Sequence, residues 1–371
     1  MVAHPGRLTD QIGRVGHFVQ GIGAGTGIGE ATAALIAGLR DVGVDQVLIT
    51  HRPVTLPIDL KIPIRDVRTL GMGSLEYPIL RPHHALDVDV LVIHGGWHLT
   101  PAAAAAWARR LMLRYVVVTH GAYHARIFAR HRIRKSVWMA AIESSYLRGS
   151  MAIQCCFEGE YSDLMDKIGQ PLPPGLFVTN AVQRPPVSWQ GQESDYLLWM
   201  GRFDVELKGL DLLVHALSLL PATERPTLRL HGEGPASGKV ETQNLANRFD
   251  VQDWVEIGGL LKGDQKWQAL SQAKAYVFPS RWEGFGMALA EAVGAGVPTL
   301  STDVPLANYL GSRGAVHVVQ PDAVSIADGL RFIVSEDAKV LGPIGQRIIA
   351  SEFMPAAIAR TWIAEVSKLT T

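Results

Sequence analysis

Cysteine is almost missing from this chain of 371 residues, with only the neighbours Cys155 and Cys156 present. Adjacent cysteines cannot easily reach disulfide geometry with each other, and no CxxC spacing exists, so neither a cross-linked framework nor a thiolate metal site is expected. A reducing, cytoplasmic setting is the simplest expectation. An excess of charge of either sign is lacking too: 35 basic side chains face 35 acidic ones, a formal net charge of zero. Binding to a nucleic-acid backbone normally draws on a basic surplus, so nucleic acid is not expected as a partner. No apolar run approaches the roughly 20 residues needed to span a bilayer. The opening stretch MVAHPGRLTDQIGRVG lacks the apolar core of a signal peptide. Membrane contact would have to be peripheral.

What is present points to buried cores. Hydrophobic residues make up 47% of the chain and charged residues 19%, and the length suits two domains at roughly 150 residues each. Short β-rich runs alternate with helical patterns throughout: GHFVQGI then EATAALIAGLRDVG, VDQVLITH, DVDVLVIHG then TPAAAAAWARRLML, YVVVTHG, a basic helical stretch around Ile133–Leu147, MAIQCCF then GEYSDLMDKIG, and LFVTNAV. Such alternation predicts parallel sheets covered by helices on both faces, an α/β fold. Prolines and polar residues near Gln183–Ser194 mark a linker, after which the alternation restarts at YLLWMG.

The most informative stretch is AYVFPSRWEGFGMALAEAVGAGVPTL, residues 275–300. An apolar strand runs into a loop and a helix begins near Gly286, which places the loop at the carboxyl edge of a parallel sheet, where open α/β folds bind ligands. Backbone N–H groups around Phe285, Gly286 and Met287 are available to a ligand, and Gly284 and Gly286 allow close approach. Glu283 precedes the helix and Glu291 lies inside it. Both carboxylates could accept hydrogen bonds from paired hydroxyls of a sugar or ribose. For an isolated pair, helix capping and solvation would be the better reading; the Pro-Ser-Arg and Gly-Phe-Gly context reverses that preference. In LLWMGRFDVELKGLDLLVHAL, Arg202 and Lys208 fall in loops on an equivalent sheet edge, a cationic pair suited to a pyrophosphate.

The glycine-rich loop from Gly21 to Gly29 contains no GxGxxG. It does fit the G-x-x-x-G-x-G spacing of short-chain dehydrogenases through Gly23, Gly27 and Gly29, but no tyrosine is followed four positions later by the lysine which that chemistry requires. His94 and His120 each stand at a strand end with a second histidine four residues on. Neither pair has the HExxH pattern, so a hydrogen bond from one neutral histidine to a sugar hydroxyl is preferred over a metal. Residues Arg126 to Lys135 form a basic segment with apolar residues interspersed. A solvated helix face is the default, and docking to an anionic lipid surface or an acidic acceptor is the functional alternative.

Together these stretches resemble the retaining glycosyltransferase family 4, including members that build bacterial surface or exopolysaccharides. The resemblance is carried by GRFDVELKGLDLLVHAL, LRLHGEGP, VEIGGLL and PSRWEGFGMALAEAVGAGVPTLST, by the E-x7-E interval from Glu283 to Glu291, and by VIHGGW and VVTHGAYH. It implies the GT-B architecture: two Rossmann-like domains with parallel sheets facing a central cleft. Residues 1–185 would be the acceptor-binding domain and 186–351 the nucleotide-sugar domain, with a terminal helix over 352–371 crossing back to the first domain. The implied activity is retaining, metal-independent transfer of a hexose from a UDP- or GDP-sugar to a hydroxyl of a glycan, glycolipid or small molecule, with no cofactor. Carried over position by position, the likeness gives Arg202 and Lys208 the donor pyrophosphate and Glu291 the ribose. Glu283 would hold hydroxyls of the transferred sugar, assisted by backbone amides at Phe285, Gly286 and Met287. His120 would lie over the sugar near the reacting carbon. Gly25, Thr26 and Gly27 would let the first domain's loop approach the phosphates, although Thr26 stands where the family usually has glycine. A short-chain NAD(P)-dependent oxidoreductase and a sugar-nucleotide epimerase are the alternatives.

Overall fold

The computed structural model describes residues 12–20, 22–23, 27–52, 54–55, 61–70, 75–81, 87–129, 131–169, 171–190 and 194–370. The chain divides into two compact units, one comprising Met1–Ala181 with Pro355–Thr371 and the other Val182–Met354.

The first unit is built on a parallel sheet of seven strands: β1 (Arg14–Val19), β2 (Asp45–Thr50), β3 (Ile64–Asp66), β4 (Val90–His94), β5 (Arg114–Val118), β6 (Ala152–Cys155) and β7 (Gly175–Phe177). Their order across the sheet is β7-β6-β5-β4-β1-β2-β3. The central strands are buried on both faces, so they read as nearly continuous apolar runs. Alternate residues then serve different cores. Phe18, Leu91, Ile93, Tyr115 and Val117 pack with α2 (Leu99–Arg110), whereas Val15, Val90, Val92, Val116 and Val118 pack with α1 (Gly27–Asp41).

Four more helices follow in this unit: α3 (Ala125–Ala129), α4 (Arg132–Trp138), α5 (Ser144–Arg148) and α6 (Glu158–Ile168). The basic helical stretch is helical but not uniform, because a π-helical turn, Met139–Glu143, joins α4 to α5. A wider turn advances the helix register, so a residue that would face solvent is carried inward. Here that residue is Glu143, which is fully buried. Its carboxylate accepts hydrogen bonds from the Trp97 amide at 2.9 Å, the Trp138 indole at 2.8 Å and the Tyr123 hydroxyl.

Glu160 on α6 is a second buried carboxyl, and desolvation pushes its pKa up to about 7. A carboxyl whose folded-state pKa is raised favours folding while protonated and loses that contribution as pH rises. The stability of this unit should therefore fall between about pH 4.5 and pH 7 by roughly 3 kcal/mol. Glu160→Gln should remove that slope in denaturant titrations run at several pH values; an unchanged slope would show that another group causes it. The two cysteine thiols lie nearby and are also buried, Cys156 pushed up to about 12 and Cys155 well above its ordinary value, so neither is poised as a nucleophile.

The second unit carries a six-stranded parallel sheet: β8 (Tyr196–Met200), β9 (Thr227–His231), β10 (Val255–Gly258), β11 (Ala275–Phe278), β12 (Thr299–Thr302) and β13 (His317–Val319), ordered β10-β9-β8-β11-β12-β13. Its helices are α7 (Leu210–Ser218), α8 (Ala236–Arg248), α9 (Asp264–Gln272), α10 (Met287–Gly294), α11 (Pro305–Gly311), α12 (Ala323–Ile333) and α13 (Leu341–Glu352). Leu197, Trp199, Leu228 and Leu230 from one face of the sheet meet Leu213, Val214 and Leu217 of α7 and Ile326 and Leu330 of α12 in one core.

The stretch read as a linker near Gln183–Ser194 belongs to the second unit over its described part. The Trp189 amide donates to Ala295 O at 2.9 Å, its indole to Ala273 O at 2.7 Å, and the Gln190 amide to Ser271 O at 2.7 Å. Val182 N bonds Phe353 O at 2.8 Å, which places the division after Ala181 rather than at 185. Turn-forming residues signal a break in regular structure, not freedom from the surface they cross.

The last helix, α14 (Pro355–Thr370), is part of the first unit. Ile358, Trp362, Ile363 and Val366 recur at helical spacing and complete the core against β1 and α1. Gly38 of α1 makes the approach possible: a Cβ there would stand 2.1 Å from Pro355 O. The Trp362 indole donates to the buried Gln154 Oε1 at 3.0 Å.

Candidate functional site

In the second sheet the chain winds outward in opposite directions from β8 and β11, which are neighbours. The crevice at the carboxyl ends of two such strands is where open α/β sheets accept ligands. β8 ends at Met200 and delivers Gly201 and Arg202; β11 ends at Phe278 and delivers Pro279, Ser280 and Glu283. The Tyr276 hydroxyl donates to Met200 O at 3.2 Å, joining the two strand ends.

The loop before α7 is held firmly on this edge. Gly209 has a left-handed backbone, φ +65, and a Cβ there would fall 1.9 Å from Pro279 O. Arg281 supplies the rest of the attachment. Its amide donates to Leu207 O at 3.0 Å, its guanidinium to Glu206 O at 2.6 Å, and the same guanidinium forms a two-pronged pair with Asp211 at 2.7 and 2.6 Å. Arg281 thereby positions Lys208, whose ammonium donates to Glu283 Oε1. Ser280 Oγ donates to the same oxygen at 2.8 Å. Lys208, Ser280 and Glu283 thus form one cluster. Arg202 stands apart, 61% exposed and 3.9 Å from Asp204, on the loop that leaves β8.

Gly286 adopts φ +93 at the N-cap of α10 and, being glycine, offers no side chain to cap the helix. The Phe285 ring is buried, 6.1 Å from Phe353. Glu291, one turn along α10, is buried and accepts from Lys266 Nζ of α9 at 2.6 Å. Sequence reading missed Lys266, Ser280 and the Arg281–Asp211 pair. Lys266 lies in a polar helix with no motif around it, and only folding brings it to Glu291. Arg281 was legible as context but not as a brace.

In the first sheet the order reverses between β1 and β4. His94 ends β4, and His120 follows β5 with φ +50, an uncommon conformation for a residue with a side chain. His120 Nε2 lies 3.0 Å from His94 Nδ1, and His94 Nε2 lies 3.4 Å from His17 Nδ1 in the middle of β1. The rings stack, with centroids 5.2 and 5.7 Å apart. Burial pushes His17 and His120 down to about 4 and His94 well below its ordinary value, so all are neutral at pH 7. Groups depressed in this way favour the fold above about pH 6.5, and that contribution is lost as pH falls through about 4. His124 diverges from His120, pairing with Asp163 at 3.4 Å, which separates the two histidines of that stretch. Gly27 opens α1, whereas Gly25 and Thr26 lie outside the described residues.

The basic segment splits in function. Lys135 turns inward, donating to Ile127 O with its ammonium 5.0 Å from the centre of the Trp97 ring, while Arg126, Arg132 and Arg134 are exposed. Arg130 lies outside the described residues. No helix among the described residues is long and apolar enough to cross a membrane.

Residues 187–345 match the family described as Glycosyl transferases group 1. Among curated proteins, the chain is 28% identical over 131 residues to the phosphatidylinositol N-acetylglucosaminyltransferase gpi3 subunit of Schizosaccharomyces pombe, a match covering 35% of this chain and 28% of that protein. A longer match, 26% identical over 295 residues and covering 73% of this chain and 70% of the relative, is to the GDP-mannose:cellobiosyl-diphosphopolyprenol alpha-mannosyltransferase of Komagataeibacter xylinus. The chain spans 28 to 44% of the lengths of the first three curated relatives it matches. Among solved structures, Anabaena HepE in complex with UDP and glucose superposes with a TM-score of 0.75 at 16% identity, covering 96% of this chain and 99% of that one. The oxidoreductase and epimerase alternatives receive no support from these likenesses. Residues 187–345 thus resemble the group 1 glycosyltransferase domain, and the chain has the GT-B fold of these solved structures.

Proposed function

We propose that the protein transfers a hexose from a UDP- or GDP-sugar to an acceptor hydroxyl, with retention of anomeric configuration and without a metal. The observation that carries this reading is the cluster of Lys208, Ser280 and Glu283 on one edge of the second sheet, in the loop that leads to the start of α10. Rupture of the bond from the anomeric carbon to the phosphate oxygen leaves negative charge on the β-phosphate. Arg202 and Lys208 would stabilise that charge, together with the positive end of the α10 dipole. Lys208 is braced through Arg281, so little reorganisation is needed as charge develops. Glu283 would accept hydrogen bonds from the sugar hydroxyls and Glu291 from the ribose, with Phe285, Gly286 and Met287 contributing backbone amides. His120 would contact the sugar, and Gly25, Thr26 and Gly27 would admit the phosphates.

The acceptor hydroxyl forms the new bond to the anomeric carbon on the face the phosphate leaves. Its proton passes to the departing phosphate oxygen. No side-chain nucleophile is assigned. The acceptor would be a glycan, a lipid-linked sugar or a small molecule. Peripheral contact with the inner membrane face would use Arg132 and Arg134 with Ile133, which is 84% exposed. The test is release of nucleoside diphosphate from a panel of UDP- and GDP-sugars, with and without EDTA. Release that survives EDTA supports the reading. Silence with every sugar nucleotide at substrate-level protein concentrations would overturn it.

A further inference from the structure

Three histidines stack in a row, His17 and His94 buried and His120 partly so, and the His17 end is anchored. Gln46 Nε2 donates to Ile36 O at 3.0 Å, and a backbone carbonyl can only accept. The amide therefore cannot be turned around, and its Oε1 must face His17 Nε2 at 3.0 Å. An oxygen there requires a proton on His17 Nε2, which leaves Nδ1 of the same neutral ring as an acceptor. His94 Nε2, 3.4 Å away, must then be the donor, and His94 Nδ1 becomes an acceptor. Its neighbours suit that role: Thr32 Oγ1 lies at 3.4 Å with a hydroxyl proton to give, and His120 Nε2 lies at 3.0 Å. The opposite polarity would set two acceptors against each other at Gln46. His17, Gln46 and His94 are all buried, so water is not at hand to relieve that clash.

We infer that Gln46 and His17 are positioning residues that, through His94, hold His120 protonated at Nε2, so that His120 Nδ1 accepts a hydrogen bond from a hydroxyl of the bound sugar. The ligand in this statement rests on the transferase reading above; the proton arrangement does not. A hydroxyl can serve both partners, but this polarity separates its replacements. Fluorine accepts weakly and cannot donate, so it cannot satisfy Nδ1 any better than hydrogen does.

Two measurements decide the matter. In the full chain labelled with 15N-histidine, long-range 1H–15N correlation at pH 7 distinguishes a protonated from an unprotonated ring nitrogen. The His120 signals are assigned by their loss in His120→Asn. The expected spectrum shows His120 unprotonated at Nδ1, as well as His94 and His17. Gln46→Leu should give His120 a mixture of tautomers. Gln46→Glu should restore the single form where the buried carboxyl is protonated, since it then donates to Ile36 O and still accepts from His17 with its other oxygen. Should Gln46→Leu fail to fold, the wild-type and Gln46→Glu spectra remain decisive.

In binding assays, nucleoside diphosphate alone should bind wild type and Gln46→Leu equally. The gain in affinity contributed by the sugar should fall with the fraction of His120 left in the accepting tautomer, about twofold for an even mixture and at most about tenfold, the scale of one net hydrogen bond. Across a set of singly substituted nucleotide sugars, replacing the contacted hydroxyl with fluorine should cost as much as replacing it with hydrogen. His120 protonated at Nδ1 in the wild type, or a tautomer indifferent to Gln46→Leu, would overturn the inference. If the tautomers are as expected but no nucleotide sugar binds, the transferase reading fails and the histidine chain stands.

Discussion

Glu283→Gln should lower turnover of the nucleotide sugar by about 100- to 1,000-fold, the scale seen when a preorganised electrostatic contact is removed from an active site. Glu283 is the point where the Lys208 ammonium and the Ser280 hydroxyl converge. Glutamine keeps the volume and one acceptor oxygen but removes the charge. It also weakens the hold on the Lys208 ammonium, whose backbone loop Arg281 still keeps in place. The loss should fall mainly on kcat, since the nucleotide's ribose is assigned to Glu291, held separately by Lys266. Steady-state kinetics with the donor named by the panel, together with a thermal melt, provide the check. A melt within a few degrees of wild type with turnover reduced less than about threefold would make the cluster a structural ion pair, whose contribution at partial exposure is modest.

The second large effect concerns stability. Trp362→Ala should destabilise the first unit by about 3–5 kcal/mol, the range for emptying a large buried aromatic site. Its side chain is wholly buried in one core with Ile358, Ile363 and residues from the strands of the first sheet. The substitution also leaves Gln154 Oε1 without its indole donor. For a unit of this size the shift corresponds to a melting temperature lower by roughly 10 °C. Trp362→Phe separates the contributions, keeping most of the volume and losing the hydrogen bond at a cost of about 1–3 kcal/mol. Calorimetry resolves the two units if they melt apart. An unaltered transition in Trp362→Ala would mean that α14 does not belong to the first core.

The site was legible in unequal parts. PSRWEGFGMALAEAVGAGVPTL could be read from composition and order: a β-rich run, a loop with two glycines and an opening helix define a strand–loop–helix step whose geometry is local. Lys208 and Glu283 were legible as candidates for separate contacts. Their pairing was not, because 75 residues separate them and nothing in either segment encodes the register of the other. Gln46 and His17 escaped notice for a related reason. Each is a polar residue inside a largely apolar strand, with no motif around it to mark a partner. Only the parallel register, with His17 opposite Val92 and Leu48, sets them beside His94. The π-turn at Met139–Glu143 was likewise invisible, since the Trp97, Tyr123 and Trp138 donors that meet the Glu143 carboxylate are brought to it only by folding.

Alternating apolar runs and helical periods were enough to specify an α/β chain with parallel sheets, because each period is a local property of the backbone. The order of strands is not. Seven strands on one sheet and six on the other reverse direction at β1/β4 and at β8/β11, and those reversals decide which loops converge. That choice depends on how apolar faces distant in the chain bury one another, so tertiary packing alone brought the three histidines together in the first unit and Lys208 to Glu283 in the second.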